Sequence, residues 1–71
     1  MIIDKGIRKF ESLNQVDILK DNLIAKYKLT DVKNYGSCLV LKTFSGSIVA
    51  EIFIEGFNIR YQVNDHLFYE R

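Results

Sequence analysis

Hydrophobic positions along the first 28 residues recur at helical spacing. Ile3, Ile7, Phe10 and Leu13 or Asn14 mark one short stripe, with Asp4 placed to cap it and Gly6 weakening it. Asn14 then opens a second segment, with Asp17 in the favourable first turn. Val16, Leu19, Leu23 and Tyr27 fall on one side of that segment, with Ile24 beside them. Asp17, Lys20, Asp21 and Lys28 fall on the other. This predicts an amphipathic helix over roughly Gln15 to Lys28. The chain up to Lys28 therefore reads as one helix or two.

From Gly36 onward the pattern changes to that of strands. Three runs rich in strand formers, Gly36 to Phe44, Ser47 to Ile54 and Phe57 to Asn64, are separated by Ser45-Gly46 and Glu55-Gly56. Two-residue loops ending in Gly suit tight hairpins. The first loop sets Leu41 against Ala50 and Leu39 against Ile52. The second sets Ile54 against Phe57, Ile52 against Ile59, Ala50 against Tyr61 and Ile48 against Val63. Directly opposed residues share a face. Both loops agree on one apolar face: Leu39, Leu41, Ile48, Ala50, Ile52, Ile54, Phe57, Ile59, Tyr61 and Val63. A one-residue slip in either hairpin would break that agreement.

The other face carries the rows Lys42–Val49–Gln62, Val40–Glu51–Arg60 and Cys38–Phe53–Asn58, with Glu51 opposite Arg60 as a cross-strand ion pair. The predicted architecture is a two-layer α+β domain. An N-terminal helix or two helices (residues 1–28) pack on one face of a three-stranded antiparallel meander (residues 36–64). The span 29–35 contains turn-formers and reads as a connection. A tail over 65–71 extends the third strand, adds a short fourth one, or folds over the open face.

Size makes this a single domain, residues 1–71. A core so small supplies only ~3–5 kcal/mol of net stability, so a staple or self-association is a common supplement. One cysteine excludes an internal disulfide, and one cysteine with one histidine is too little for a zinc site. Neither a cofactor nor a metal is expected. Ten basic and nine acidic side chains give a net charge of +1, which argues against a dedicated nucleic-acid binder and against an acidic DNA mimic. No signal peptide or 18-residue apolar span is visible, so a cytoplasmic setting is expected and a membrane partner is not. Nine Ile, seven Lys, five Asn and four Tyr, with no Pro or Trp, point to a low-GC bacterium or to a phage or plasmid within one.

Candidate chemistry is sparse. Cys38 and His66 are the residues suited to a thiol dyad, but the register separates them by roughly 25 Å along a strand at ~3.3 Å per residue. Asp17 and Asp21 are helix neighbours beside Lys20 and read as a solvated face. Lys26, Lys28 and Lys33, interleaved with Tyr27 and Tyr35, have the composition of a single-strand nucleic-acid site, but Tyr27 belongs to the core stripe. Gly6, Gly36, Gly46 and Gly56 lack phosphate-loop spacing. The non-core sheet face carries one apolar group around Phe53. Val40, Val49, Glu51, Phe53 and Arg60 are therefore the candidate partner-binding residues.

The expected function is a non-enzymatic protein-binding module, an inhibitor or regulator acting on a protein target or a second copy of itself. A phage or mobile-element product directed at a host or defence enzyme fits the size and composition. The alternative is a small nucleic-acid-binding regulator, as a monomer or a dimer.

Overall fold

The computed structural model describes residues 2–65, which form one helix on a five-stranded antiparallel sheet. The strands are β1 (Ile2–Lys9), β2 (Asp31–Asn34), β3 (Cys38–Lys42), β4 (Ile48–Glu55) and β5 (Asn58–Asp65), and the helix α1 is Leu13–Tyr27. Sheet order is β1-β5-β4-β3-β2. The last four strands are a meander, and β1 closes the far side against β5.

The helix forms because Val16, Leu19 and Leu23 meet the sheet, with residual exposures of 7%, 2% and 3%. It starts after Ser12, not Asn14, and Ser12 makes no side-chain cap. It ends at Lys28, held in the left-handed region at φ 56°, where Leu29 N–H donates back to Ile24 O at 3.2 Å. That six-to-one bond is the Schellman closure, here without the usual glycine.

The strands divide by parity. Leu39, Leu41, Ala50, Ile52, Ile59 and Val63 are buried under the helix, and Ile48, Ile54 and Tyr61 pack partly buried around them. The expected core face is therefore present with one exception: Phe57 is 81% exposed. The β3–β4 register is the expected one, Leu41 opposite Ala50 and Leu39 opposite Ile52. Its loop is wider than a two-residue turn, with Thr43 N–H donating to Ile48 O and Gly46 N–H to Thr43 O. The β4–β5 register is displaced by two residues: Ile54 meets Ile59, Ile52 meets Tyr61 and Ala50 meets Val63. The loop is Gly56-Phe57, because Glu55 pairs with Asn58. Gly56 has φ +61° and Phe57 does not share that sign, the requirement of a type II′ turn. A two-residue shift preserves faces, so only Phe57, now in the turn, leaves the core.

Two further corrections concern the first half. Residues 2–9 are a strand, not a helix: β1 runs antiparallel to β5 from Lys9 opposite Asn58 to Asp4 opposite Val63, with a bulge before Ile2 opposite Asn64. Hence there is one helix, and the meander has four strands. The connection expected at 29–35 contains β2, paired with β3 from Asp31 opposite Lys42 to Asn34 opposite Leu39. The expectations for residues 66–71 lie outside the described residues.

Gly6 has a close-packing reason to be glycine. It sits opposite Tyr61, and an added Cβ would lie 2.7 Å from Tyr61 Cε1. The ring covers a bare stretch of edge backbone, a known way of supporting glycine in a strand.

Two outcomes check this placement by urea melts. Ile52→Ala, at a site with 0% exposure, should cost about 2–5 kcal/mol, while Phe57→Ser should shift stability by no more than about 0.5 kcal/mol. Equal effects would contradict the two-residue shift. Gly6→Ala should lower the midpoint because the Tyr61 ring must move, and adding Tyr61→Ala should remove that extra cost, since the two residues are in contact.

Candidate functional site: the open face of the sheet

The face turned away from the helix is built by the other parity of every strand. Combining the four pairings gives continuous rows: Lys33–Val40–Glu51–Gln62–Lys5, Cys38–Phe53–Arg60–Ile7, and Asp31–Lys42–Val49–Asn64–Ile2. All five sequence-predicted residues, Val40, Val49, Glu51, Phe53 and Arg60, lie on this face, each partly buried. On the central strand β4 the face carries Val49, Glu51 and Phe53 in successive rows, with the Glu51 row between the other two.

The rows differ from those expected because of the two-residue shift. Glu51 does not face Arg60. It faces Gln62, whose Nε2 donates to Glu51 Oε1 at 2.9 Å. Arg60 instead faces Phe53, with its guanidinium carbon 4.5 Å from the ring centroid. The same guanidinium donates from Nε to Glu55 Oε1 at 2.9 Å. Arg60 is thus held by a ring on one side and a carboxylate on the other. The bond from Arg60 holds the Glu55 carboxyl below its ordinary range, and the reciprocal interaction raises Arg60. Exposed contacts of this kind contribute modestly to stability. Their main consequence is to hold a bulky cation beside Phe53 on this face.

Sequence reasoning missed the contribution of β1, which brings Ile2, Lys5 and Ile7 to this face. Ile2, Lys5, Ile7, Arg60 and Gln62 border a depression of about 550 Å³ beside β5. Ile2 is 49% and Ile7 69% exposed. The signal that could have placed them was Gly6, a poor helix residue at the centre of the supposed helix.

A second polar group lies under the helix end. Asp4 Oδ2 accepts from Tyr27 Oη at 2.9 Å and from Lys26 Nζ at 3.3 Å, and Asp4 Oδ1 accepts from Tyr61 Oη at 3.4 Å. The Tyr27 hydroxyl and then the Lys26 ammonium hold the Asp4 carboxyl below its ordinary range, against the opposing effect of burial. Burial and the nearby carboxylate push the Tyr27 phenol up. At neutral pH the acid is ionised and the phenol protonated, so neither is poised to exchange a proton. The group pins the last turn of α1 to β1.

Cys38 is a free, partly buried thiol level with Arg60, not with Asn58 as the unshifted register implied. Its supposed partner His66 lies outside the described residues. Among the described residues no cluster of three or more His, Cys, Asp or Glu could hold a metal ion. No helix among them is long and apolar enough to cross a membrane. No family model, curated protein or solved structure matches the chain.

The Asp4 pin generates a pH prediction. Its folded pKa lies below its unfolded value, so its contribution is complete above the ordinary carboxylate pKa, 3.8, and is lost as pH falls through the lower folded value. The stability difference between the parent and Asp4→Asn should therefore be constant near neutrality and shrink below about pH 4. Urea melts of both chains across pH 2–7 would check it. A difference that does not narrow in acid would contradict the pin.

Proposed function

We propose that this chain is a non-enzymatic protein-binding module, an inhibitor or regulator, that docks through the open face of its sheet. The observation that carries the reading is Phe53 with the Arg60 guanidinium over its ring and bonded to Glu55, with Val40 diagonal to it and Val49 two rows away on the same face. Aromatic and arginine side chains anchor interfaces because one gives rigid area and the other several donors. An anchor already held in place loses little conformational freedom on binding. The size and the AT-rich residue usage suit a cytoplasmic phage or mobile-element product acting on a host or defence enzyme.

One observation favours the nucleic-acid reading: Lys5, Lys33 and Lys42 lie on the same face. Of the two tyrosines interleaved with lysines in the sequence, Tyr35 is exposed, but Tyr27 is partly buried and bonded to Asp4, in keeping with its place on the core stripe, so it cannot stack on a base. Phosphate-driven binding also weakens steeply with salt, whereas an apolar interface does not.

Proteins captured on the immobilised chain supply the test. Phe53→Asp should weaken a genuine target by about 30-fold or more, the size of an interface hot spot, with circular dichroism unchanged. Phe44→Asp, at a loop residue 92% exposed, should leave binding intact. A captured protein that ignores Phe53→Asp, or whose binding collapses with modest salt, overturns the reading.

A further inference from the structure

We propose that β1 is a self-association edge, along which two copies pair antiparallel about a two-fold axis at Gly6 and join their sheets into one. This concerns the rim of the sheet and stands independently of the docking role of its open face.

The outer edge of β1 has no strand beside it among the described residues. It is eight residues long, twice the length of β2 at the opposite edge. The bulge lies at its start, between Ile2 and Asp4, and from Asp4 to Lys9 the pairing is regular, so this stretch of uncovered backbone is a template for another strand, with its charges deciding the register. Whether it can pair with itself depends on which backbone groups point outward. Phe10 N–H donates to Phe57 O at 2.6 Å, continuing the register in which Lys9 meets Asn58. Antiparallel ladders alternate, so Arg8, Gly6 and Asp4 direct their backbone groups to β5. Lys5, Ile7 and Lys9 direct theirs outward.

A two-fold antiparallel pair must oppose residues of the same parity, and that leaves few registers. Centring on Asp4 opposes the two Asp4 side chains. Centring on Lys5 opposes two lysines. Centring on Ile7 sets Lys5 against Lys9 of the second copy, and centring on Arg8 opposes two arginines. Like charges directly opposite are unfavourable. Among the axes from Asp4 to Arg8, which keep the regular part of β1 paired, the one at Gly6 alone avoids them. There Asp4 meets Arg8 twice, Lys5 meets Ile7 twice, and the two Gly6 backbones approach with no side chain between them. The outward groups of Lys5 and Ile7 then form hydrogen-bonded pairs.

The side chains suit this arrangement. Arg8 is exposed, with its guanidinium 6.0 Å from the Tyr61 ring centroid, and is free to reach the carboxylate of the second copy's Asp4. On the open side, the Lys5 stem of the second copy covers Ile7 at the rim of the 550 Å³ depression. Each copy therefore contributes a residue to the other's surface. The axis stands perpendicular to the sheet, so both open faces point the same way.

Sedimentation of the full chain over a concentration series, combined with cross-linking, tests the pairing. The parent chain should dimerise, and Arg8→Glu, which sets a carboxylate against Asp4, should weaken the dimer at least about tenfold. In a Cys38→Ser background, an equimolar mixture of Lys5→Cys and Ile7→Cys should oxidise to a covalent dimer far more readily than either variant alone, because only the mixture places the two cysteines opposite each other. Phe53→Asp should leave this cross-link unchanged. A chain that stays monomeric at every concentration overturns the proposal. So does a dimer that ignores Arg8→Glu and gives no preferential cross-link, which assigns association to another surface. Slow amide exchange at Lys5, Ile7 and Lys9 in a monomer also overturns it, since another part of the chain would then occupy the edge.

Discussion

A single apolar stripe has to serve a five-stranded sheet, and most of the structure depends on how that stripe is laid. Val16 lies near Leu39 and Ile54 at one end of the sheet, while Tyr27 and Lys26 reach Asp4 of β1 at the other. The helix therefore crosses the sheet, and Leu19 and Leu23 cover its middle. The fully buried side chains Leu41, Ile52, Ile59 and Val63 belong to the three inner strands. The outer strands receive less: Val32 on β2 is 45% exposed although it is on the helix side, and β1 presents Asp4, Gly6 and Arg8 there. β1 contributes no side chain to the buried core and is held by backbone pairing, the Tyr61 ring over Gly6 and a polar pin. That is why its one position on the helix side where a side chain would obstruct is glycine, and why a carboxylate can sit where an inner strand has Val63.

The same division explains what could be read from the sequence. The inner strands are joined by Gly-bearing loops whose two registers agree on one apolar face, so their faces were legible. Parity survives an error of two residues, and the error at Gly56 moved nothing except Phe57 between core and solvent. Cross-strand partners do not survive it, which is why the Glu51–Arg60 pair became Glu51–Gln62 and Phe53–Arg60. The edge strands were not legible, for a physical reason. β2 is four exposed residues with no alternation to bury. β1 spaces Ile3, Ile7 and Phe10 as a helix would, and its strand state comes from pairing with β5, a partner some fifty residues away. Local propensity yields to such long-range pairing. Gly6 was the local clue, and its meaning required knowing that Tyr61 lies over it.

The open face is where the polar and apolar components compete. Val40, Val49, Phe53, Ile2 and Ile7 are apolar area that the helix leaves uncovered among the described residues, in a chain whose small core would gain from burying them. Each row, however, also carries a charged or amide side chain: Glu51, Arg60, Gln62, Lys42 or Asn64. A face meant only for solvent would not need Phe53 on its central strand. A face meant for a permanent core would not leave Lys5, Lys33 and Lys42 within it. Under the proposed docking role, such a mixture suits an interface that stays soluble when free and excludes water when bound. Arg60 shows how both demands are met in one side chain. Glu55 compensates its charge, and its guanidinium carbon lies 4.5 Å from the Phe53 ring centroid, so an incoming surface would meet a side chain that already has partners. A partner able to accept hydrogen bonds at the guanidinium edge while covering the ring would use groups that are already in position.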